Sequence, residues 1–336
     1  MKNIIFRVDV DQGNRVGTGH LIRILKIYKE LKNKKKLAFY VLSKSNELSK
    51  KILTKFFKKN IFLINKNFEK KLFFLKKNDL LINDSPRGLE RKLYLFCKKK
   101  KIKIISLDDS KSYSKNYDLL INSIIFLKKK LPKSKKIFQG FKYLIFDKRF
   151  SNIKKNKFKS KKLNIVISSG GTDKKNFLYK IYLLLKDFKE LRLNMLIGMG
   201  VKKNNKIFKI KDKNIKLIRN NLNIKKYFDN AHGSIVSGGL IMFESVLTKT
   251  PTAVIKTYNH QKYAIKELEK FKTISYLGYI SKINKIKLFN FIQQLKLNNK
   301  KNVYIKKNIK NNLIDSFGLK RVVNLILKKL NEKKNY

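Results

Sequence analysis

Several kinds of residue are scarce in this 336-residue sequence, and each scarcity excludes a class of protein. Cys97 is the only cysteine, which excludes an intrachain disulfide framework and a zinc module built on several cysteines. No apolar run approaches the ~20 residues needed to span a bilayer. The first nine residues carry charges where a signal peptide needs an apolar stretch, so export is not indicated and a cytoplasmic protein is predicted.

Acidic residues are also scarce, because 22 Asp and Glu stand against 83 Lys and Arg, a net charge of +61. Such a charge favours a nucleic-acid-binding module, since basic proteins release counterions from phosphate backbones. However, only nine of the basic residues are Arg, whose planar fork reads guanine and grips phosphate. Alanine is scarce too, whereas residues with A/T-rich codons (Lys, Asn, Ile, Phe and Tyr) are abundant.

We therefore attribute the charge mainly to genome composition. No specific nucleic-acid partner and no stable membrane insertion are predicted. The positive charge itself predicts a weak attraction to anionic surfaces.

The sequence does contain enough apolar residues, 43%, for a substantial core, and its length predicts two domains. Short apolar runs alternate with longer amphipathic stretches, the pattern of βα units and parallel sheets. The predicted strands are 4–10, 37–42, 61–64, 80–83, 102–107 and 119–122 in the first half, and 163–168, 193–197, 215–218, 234–237, 252–256 and a weak 274–279 in the second. Six strands in each half are enough for two doubly wound sheets.

Polar composition sets the predicted domain boundaries. Residues 151–162 are charged and lack regular hydrophobic spacing, so we interpret them as a linker. The linker separates an N-terminal Rossmann-like domain, 1–150, from a C-terminal one, 163–330. Within the second domain, apolar residues recur at spacings of three and four between Leu319 and Leu330, which predicts a helix.

Three glycine-bearing junctions between a strand and a helix carry the candidate chemistry. The first is residues 15–23, Arg-Val-Gly-Thr-Gly-His-Leu-Ile-Arg, in which Gly17 and Gly19 allow a sharp turn and bring backbone amides close to a ligand. A helix that starts near His20 places the imidazole at the positive end of the helix dipole, which favours the neutral ring. A neutral imidazole there can act as a general base. The alternative is a capping histidine on an ordinary turn.

The second junction is residues 168–176, Ser-Ser-Gly-Gly-Thr-Asp-Lys-Lys-Asn, after the strand that opens the second domain. Paired glycines followed by Thr172 and Asp173 can form a nest of N–H groups with a polar rim. It is not a P-loop, because no Gly-Lys-Ser/Thr closes it. The alternative is a tight turn in which Thr172 or Asp173 caps the helix.

The third junction is residues 237–246, Ser-Gly-Gly-Leu-Ile-Met-Phe-Glu-Ser-Val. Backbone amides at its glycines would face an anion such as a diphosphate at the helix start. Glu244 would hydrogen-bond paired ribose hydroxyls, and a phosphate nest beside a carboxylate predicts a nucleotide with its sugar; the alternative is a solvated Glu244. The predicted nucleotide-binding residues are Ser237, Gly238, Gly239, Leu240 and Glu244.

Residues 258–264, Tyr-Asn-His-Gln-Lys-Tyr-Ala, place further hydrogen-bonding side chains at another strand-to-helix turn.

Taken in order, these motifs resemble those of a known family. Arg-Val-Asp, Gly-Thr-Gly-His-Leu-Ile-Arg, Leu-Asp-Asp, Ser-Gly-Gly-Thr-Asp, Ser-Gly-Gly-Leu-x-Met-Phe-Glu and Asn-His-Gln are similar to motifs of the UDP-sugar hydrolases of pseudaminic acid synthesis. Those enzymes cleave UDP-2,4-diacetamido-2,4,6-trideoxy-β-L-altropyranose, and related proteins are labelled spore-coat polysaccharide biosynthesis proteins. The resemblance runs from about Ile4 to about Val323.

The resemblance implies an α/β fold of the GT-B type, in which two Rossmann-like domains face each other across a cleft. It also implies hydrolysis of a UDP-sugar substrate without a metal or another cofactor. In that reaction water attacks the anomeric carbon, the C–O bond breaks with inversion, and UDP leaves.

The resemblance also implies roles for individual residues. His20 corresponds to the family's general base, and Gly238, Gly239 and Glu244 correspond to its diphosphate and ribose site. The residues that correspond to the substrate-facing loop and to a polar residue near the sugar are Gly171, Thr172 and Asp173, with either Asn259 or His260.

Charged residues near the first strands supply the remaining candidates. Arg7 and Arg23 would support the phosphates or Asp9, with bracing of the loop as the alternative. Asp108 and Asp109 would orient the imidazole or bind a sugar hydroxyl, with pairing to a nearby lysine as the alternative.

One segment departs from the family pattern. Family members often carry Asp followed by an aromatic or similar substrate-side residue where this chain has Asp84-Ser-Pro-Arg-Gly88, which leaves the identity of the sugar open. The predicted substrate-binding residues are Arg7, Gly17, Gly19, Arg23, Asp84, Asp109, Gly171, Thr172, Asp173, Asn259 and His260. The alternative function is a UDP-sugar-dependent glycosyltransferase, because one fold hosts both activities.

Overall fold

The computed structural model describes residues 1–9, 19–34, 37–43, 53–58, 60–64, 67–85, 88–107, 117–123, 136–152, 162–173, 175–219, 223–300 and 314–332. The chain divides into two compact units, Met1–Asp147 with Ser316–Tyr336, and Lys148–Asp315. Each unit is built on one seven-stranded sheet. The predicted α/β class with two Rossmann-like, doubly wound domains is therefore confirmed.

The first unit has a parallel sheet in the order β3-β2-β1-β4-β5-β6-β7. Its strands are β1 (Lys2–Val8), β2 (Leu37–Ser43), β3 (Ile61–Leu63), β4 (Leu80–Asp84), β5 (Lys103–Leu107), β6 (Leu119–Asn122) and β7 (Ile137–Gln139). Its helices up to this point in the chain are α1 (Gly19–Leu31), α2 (53–57), α3 (Phe68–Lys71) and α4 (Arg91–Lys99). The strand order reverses between β1 and β4, and ligands of such sheets bind where the carboxyl ends of the strands meet that reversal.

The first sheet is covered on both faces, so its strands are apolar rather than alternating. Successive residues of β1 point to opposite faces. Phe6 packs in a core with Leu21 of α1, whereas its neighbour Ile5 packs in a second core with Leu93 of α4. These two cores fix β1 and β4 at the centre of the unit.

The second unit has the sheet order β10-β9-β8-β11-β12-β13-β14, parallel except for the last pair. Its strands are β8 (Leu163–Ser168), β9 (Leu191–Ile197), β10 (Ile215–Arg219), β11 (Gly233–Ser237), β12 (Thr252–Lys256), β13 (Ser275–Tyr279) and β14 (Lys282–Ile283). Its helices are α5 (Phe177–Leu185), α6 (Lys225–Asp229), α7 (Leu240–Leu247), α8 (Lys262–Lys270) and α9 (Lys285–Lys300). Here the order reverses between β8 and β11, which are the strands before the second and third glycine junctions.

The predicted end of the second domain is wrong. The helix predicted near residue 319 exists as α10 (Gly318–Asn331), but it belongs to the first unit. Its apolar face, including Val322 and Ile326, packs in the same core as α1 and β1. Lys2 on β1 donates to the carbonyl oxygen of Leu330 at 2.7 Å, which ties the end of the helix to the sheet. Hydrophobic spacing predicted the helix but could not show which core it packs on.

Two sheet strands were not predicted, one at the far edge of each sheet. β7 has three residues and β14 has two, too few to show an alternating pattern. Most of the predicted linker, 153–161, lies outside the described residues. Within the described part of the chain, no helix combines the length and the apolar character that a membrane crossing requires.

Candidate functional site

The first group of functional side chains lies where β4 ends and α1 begins. The helix starts at Gly19, as predicted from the first glycine junction, so His20 is in its first turn. Arg23 follows three residues later, which places it on the same side of the helix as His20. Asp84 is the last residue of β4, the strand next to β1 at the reversal of strand order.

These three side chains form one hydrogen-bonded group. His20 Nδ1 lies 2.7 Å from Asp84 Oδ1, and Arg23 Nε donates to Asp84 Oδ2 at 2.7 Å. Arg23 Nη2 also donates to Asp84 Oδ1 and lies 3.2 Å from His20 Nδ1. The Asp84 side chain has no exposed surface, whereas 25% of the His20 side chain is exposed. Solvent therefore reaches the imidazole but not the carboxylate behind it.

The contact with Asp84 fixes the tautomer of His20. Burial alone would raise the pKa of Asp84, but the charges of Arg23 and His20 and their hydrogen bonds outweigh it and lower that pKa. The ionised carboxylate can only accept hydrogen bonds, and the guanidinium can only donate them. The proton on Nδ1 is therefore directed at Asp84, and in the neutral ring the lone pair is on Nε2.

Arg7 forms a separate buried group on the same sheet. Its side chain has no exposed surface, and it donates to both carboxylate oxygens of Asp9, at 2.5 and 2.7 Å. It also donates through Nε and Nη2 to Glu90, at 3.0 and 2.6 Å. Burial alone would lower the pKa of Arg7, but the two carboxylates outweigh burial and raise it. Of the alternatives for Arg7, this geometry supports contact with Asp9 rather than contact with a phosphate.

The role of Asp84 differs from the one predicted. It was predicted to bind substrate, whereas its buried carboxylate holds His20 and Arg23. This contact could have been predicted from the usual strand order of doubly wound sheets. That order places β4 beside β1, and so places Asp84 near the start of α1. Two predicted site residues, Gly17 and Asp109, lie outside the described residues, as does Asp108.

In the second unit, the loop after β8 is held by Gly198 and Gly200, which lie outside the three predicted junctions. Gly200 donates its backbone N–H to the carbonyl oxygen of Gly171 at 2.9 Å. A Cβ on Gly198 would lie 2.2 Å from the carbonyl oxygen of Gly170, so only glycine fits there. The loop carrying Gly171 and Thr172 is thus packed directly on the loop that follows β9. The predicted nest of N–H groups in this loop stays a prediction.

Asp173 caps a helix rather than facing outward. Its carboxylate accepts hydrogen bonds from the backbone N–H groups of Phe177 at 2.6 Å and Leu178 at 3.3 Å, and from Asn205 Nδ2 at 3.3 Å. Burial, which these bonds only partly offset, raises the pKa of Asp173. The predicted contact between Asp173 and substrate is therefore replaced by the capping alternative.

The third junction forms a strand-to-helix turn with an open helix start. α7 begins at Leu240, directly after Gly239, and no side chain caps it. A Cβ on Gly238 would lie 2.6 Å from Ile265, so this glycine allows α8 to pack closely. A Cβ on Gly239 would meet nothing nearer than Ser237 Oγ at 3.9 Å. A helix start without a side-chain cap, with space beside Gly239, suits an anion.

Buried hydroxyls hold α7 in place. Ser245 Oγ lies 2.6 Å from Ser234 Oγ on β11 and 2.7 Å from Thr252 Oγ1 on β12. Together these bonds join the helix to both strands beside it. No pattern in the sequence indicates this network. Glu244, one residue earlier, is half-buried.

The segment after β12 is organised by Gln261. Its Oε1 accepts hydrogen bonds from the backbone N–H of Thr257 at 2.8 Å and of Tyr258 at 3.1 Å. Asn259 and His260 are both exposed, so the choice between them as the polar residue near the sugar stays open. The His260 ring stacks on Tyr258 with centroids 5.7 Å apart, and desolvation lowers the pKa of His260.

In the part of the chain that the structure describes, no three His, Cys, Asp or Glu side chains converge as metal ligands would. The sequence prediction of a metal-independent site stays a prediction.

Comparison with known proteins gives the fold. No protein-family model matches the chain, and no curated protein matches it. MnaA of S. aureus, solved with UDP, is similar with a TM-score of 0.63 and 16% identity, over 100% of this chain and 98% of its own. The UDP-GlcNAc 2-epimerase of Neisseria meningitidis, bound to UDP-GlcNAc, is similar with a TM-score of 0.60 and 13% identity, over 98% of this chain and 100% of its own. The calicheamicin glycosyltransferase CalG4 is similar with a TM-score of 0.65 and 10% identity, over 99% of this chain and 100% of its own.

At these identities the likeness shows the fold and nothing finer. The predicted GT-B type, with two Rossmann-like domains, is confirmed.

Proposed function

We propose that this protein is a hydrolase of a nucleotide sugar, which cleaves a UDP-linked diacetamido-trideoxy sugar at its anomeric C–O bond. The products are UDP and the free sugar, an intermediate of nonulosonic acid or surface polysaccharide synthesis. The observation that carries the proposal is the contact of 2.7 Å between His20 Nδ1 and the buried Asp84 carboxylate. It is supported by the resemblance of the sequence motifs to hydrolases of pseudaminic acid synthesis.

In the proposed reaction His20 is the general base. Its Nε2 takes a proton from water while the water oxygen bonds to the anomeric carbon. The bond between that carbon and the phosphate oxygen breaks, and its electron pair leaves with UDP, so the configuration inverts. Asp84 holds the imidazole in the tautomer that leaves Nε2 unprotonated and stabilises the imidazolium that forms. The 25% exposure of the His20 side chain supports access by water.

The second unit supports the proposal through groups that suit a diphosphate leaving group. The start of α7 presents backbone N–H groups without a side-chain cap, and Gly239 leaves the space before them open. Such N–H groups stabilise negative charge as it develops on the leaving phosphate. Glu244, in the second turn of α7, is the proposed ribose ligand.

The test is release of UDP from a panel of UDP-linked deoxyamino sugars, without an acceptor, with product configuration followed by NMR. We expect release from a diacetamido-trideoxy sugar, with the configuration inverted in the first product formed. His20→Asn should lower kcat by about 10²–10⁴-fold, the usual contribution of a general base. Lys29→Gln, an exposed change on the same helix, is the matched control and should leave kcat unchanged.

Other outcomes would contradict the proposal in different ways. Release of UDP only when an acceptor sugar or lipid is added would assign the chain to the glycosyltransferases. An unchanged rate in His20→Asn would exclude His20 as the base even if the substrate is correct.

A further inference from the structure

Two lysines of the second unit converge on the same tyrosine. Lys175, in the loop between β8 and α5, places Nζ 4.5 Å from the centroid of the Tyr279 ring, and Lys256, the last residue of β12, places Nζ 5.2 Å from it. Lys175 Nζ also donates to the Tyr279 hydroxyl and lies 5.2 Å from the Tyr258 ring. We call Lys175, Lys256, Tyr258 and Tyr279 the lysine–tyrosine cluster.

Lysines are abundant in this chain, but these two differ from its many solvated ones. Both are half-buried, and they come from separate elements to the same aromatic ring. Neither forms an ion pair with a carboxylate among the residues the structure describes. The carboxylate of Asp173, two positions before Lys175, instead accepts a hydrogen bond from the backbone N–H of Phe177 in α5. Two cations held against one ring repel each other, and an anion bound close to both would relieve that repulsion.

The lysine–tyrosine cluster adjoins the third glycine junction. Tyr258 donates its backbone N–H to Gln261 Oε1 at 3.1 Å. The Cβ of the same Gln261 would lie 3.1 Å from a Cβ placed on Gly238. On the other side, the loop that carries Lys175 is tied to β11, because Ser237 Oγ donates to the carbonyl oxygen of Ser169 at 2.9 Å. The cluster and the open start of α7 are therefore neighbours at one edge of the sheet.

We propose that the lysine–tyrosine cluster is an anion-binding subsite beside the start of α7. It would take an anionic oxygen group of the ligand, with Lys175 and Lys256 as the donors and the tyrosine rings as a platform that holds both ammonium groups. Two groups of a nucleotide sugar have this chemistry: the terminal phosphate of the diphosphate and an acidic substituent on the sugar. The identity of the ligand rests on the proposed function, whereas the anion-binding chemistry does not.

Equilibrium binding to the full chain tests the subsite, with UDP, UMP and inorganic pyrophosphate as probes. If the subsite takes the terminal phosphate, Lys175→Gln and Lys256→Gln should each weaken UDP binding by about tenfold or more, since charge-assisted hydrogen bonds contribute that much. UMP binding should change by less than about twofold. Lys216→Gln is the matched control, because it removes the same charge from an exposed position on β10, far along the sheet from β12. Thermal unfolding of each variant shows that it is folded.

A second arm separates the two sources of the anionic group. A UDP-linked uronic acid is compared with its neutral hexose counterpart. If the lysine variants lose affinity for UDP itself, the subsite takes the terminal phosphate. If the lysine variants keep their affinity for UDP but no longer prefer the UDP-linked uronic acid to the neutral sugar, the subsite takes an acidic group on the sugar.

The outcomes also separate this proposal from the proposed function. Affinities in both lysine variants equal to those of Lys216→Gln, for every probe, would overturn the subsite while leaving the hydrolase intact. The opposite outcome is a protein that binds pyrophosphate through both lysines but binds no uridine nucleotide. That result would support the subsite and contradict the proposed hydrolase activity.

Discussion

At the scale of the residue, Asp84 joins the chemistry of the first unit to its stability. Its side chain has no exposed surface, and it is the shared partner of His20 and Arg23. Removal of one partner from a buried ion pair leaves the other charge without compensation, which costs about 3–5 kcal/mol. Asp84→Asn should therefore lower the free energy of unfolding by about that amount at neutral pH, and it should also lower the proposed activity because Asn does not stabilise imidazolium.

The stability effect of Asp84→Asn should depend on pH. The pKa of Asp84 is lower in the folded protein than its ordinary value of 3.8, so its charge stabilises the fold above that value. This contribution is lost as pH falls through the folded pKa. Denaturant unfolding of both proteins between about pH 6 and pH 2 should show the difference shrinking with acid. A difference that stays constant would contradict the ion-pair interpretation; Glu69→Gln, an exposed change, is the control.

At the scale of the element, strands were easier to predict than contacts between loops. The buried strands β6, β8 and β12 have the predicted bounds, because continuous apolar runs between polar breaks define them. The start of α1 near His20 was also predictable from glycines after a strand. By contrast, the packing of Gly198 on Gly170 joins loops from different strands, and no local pattern in the sequence encodes it.

That packing predicts a difference between two glycine substitutions. Gly198→Ala would place a methyl group against backbone atoms, the nearest at 2.2 Å, which side-chain movement cannot relieve. Overpacking of this kind costs about 1–3 kcal/mol, and we expect weaker UDP binding as the Gly170–Gly171 loop is displaced. Gly239→Ala has space and a φ of −92°, so it should leave the unfolding free energy within about 0.5 kcal/mol yet weaken UDP binding.

Chemical denaturation and UDP titration of the same samples measure both effects. Equal losses of stability in Gly198→Ala and Gly239→Ala would contradict the contacts described for these glycines. Unchanged UDP binding in Gly239→Ala would show that the open space at the start of α7 does not hold the nucleotide.

At the scale of the whole molecule, the last helix decides where the units end. A division by sequence order assigns residues 163–330 to the second domain, whereas α10 packs on the first unit. The reason is physical: the face that carries Val322 and Ile326 needs an apolar core, and the core around α1 and β1 supplies it. Lys103, buried in β5, reinforces this by donating to the carbonyl oxygen of Lys329 at 2.8 Å. Sequence periodicity specifies an apolar face but not its partner.

This assignment predicts which unit loses stability when α10 is weakened. Ile326 has no exposed surface, so Ile326→Ala should cost about 2–5 kcal/mol. Hydrogen exchange should speed up for the amides of β1 and β4 and stay unchanged for those of β8 and β11, because only the first core loses a side chain. Ile181→Ala, which removes a fully buried side chain of α5, should give the reverse pattern, and Asn324→Ala on the exposed face of α10 should change neither. Faster exchange in β8 on Ile326→Ala would instead place α10 with the second unit, as division by sequence order does.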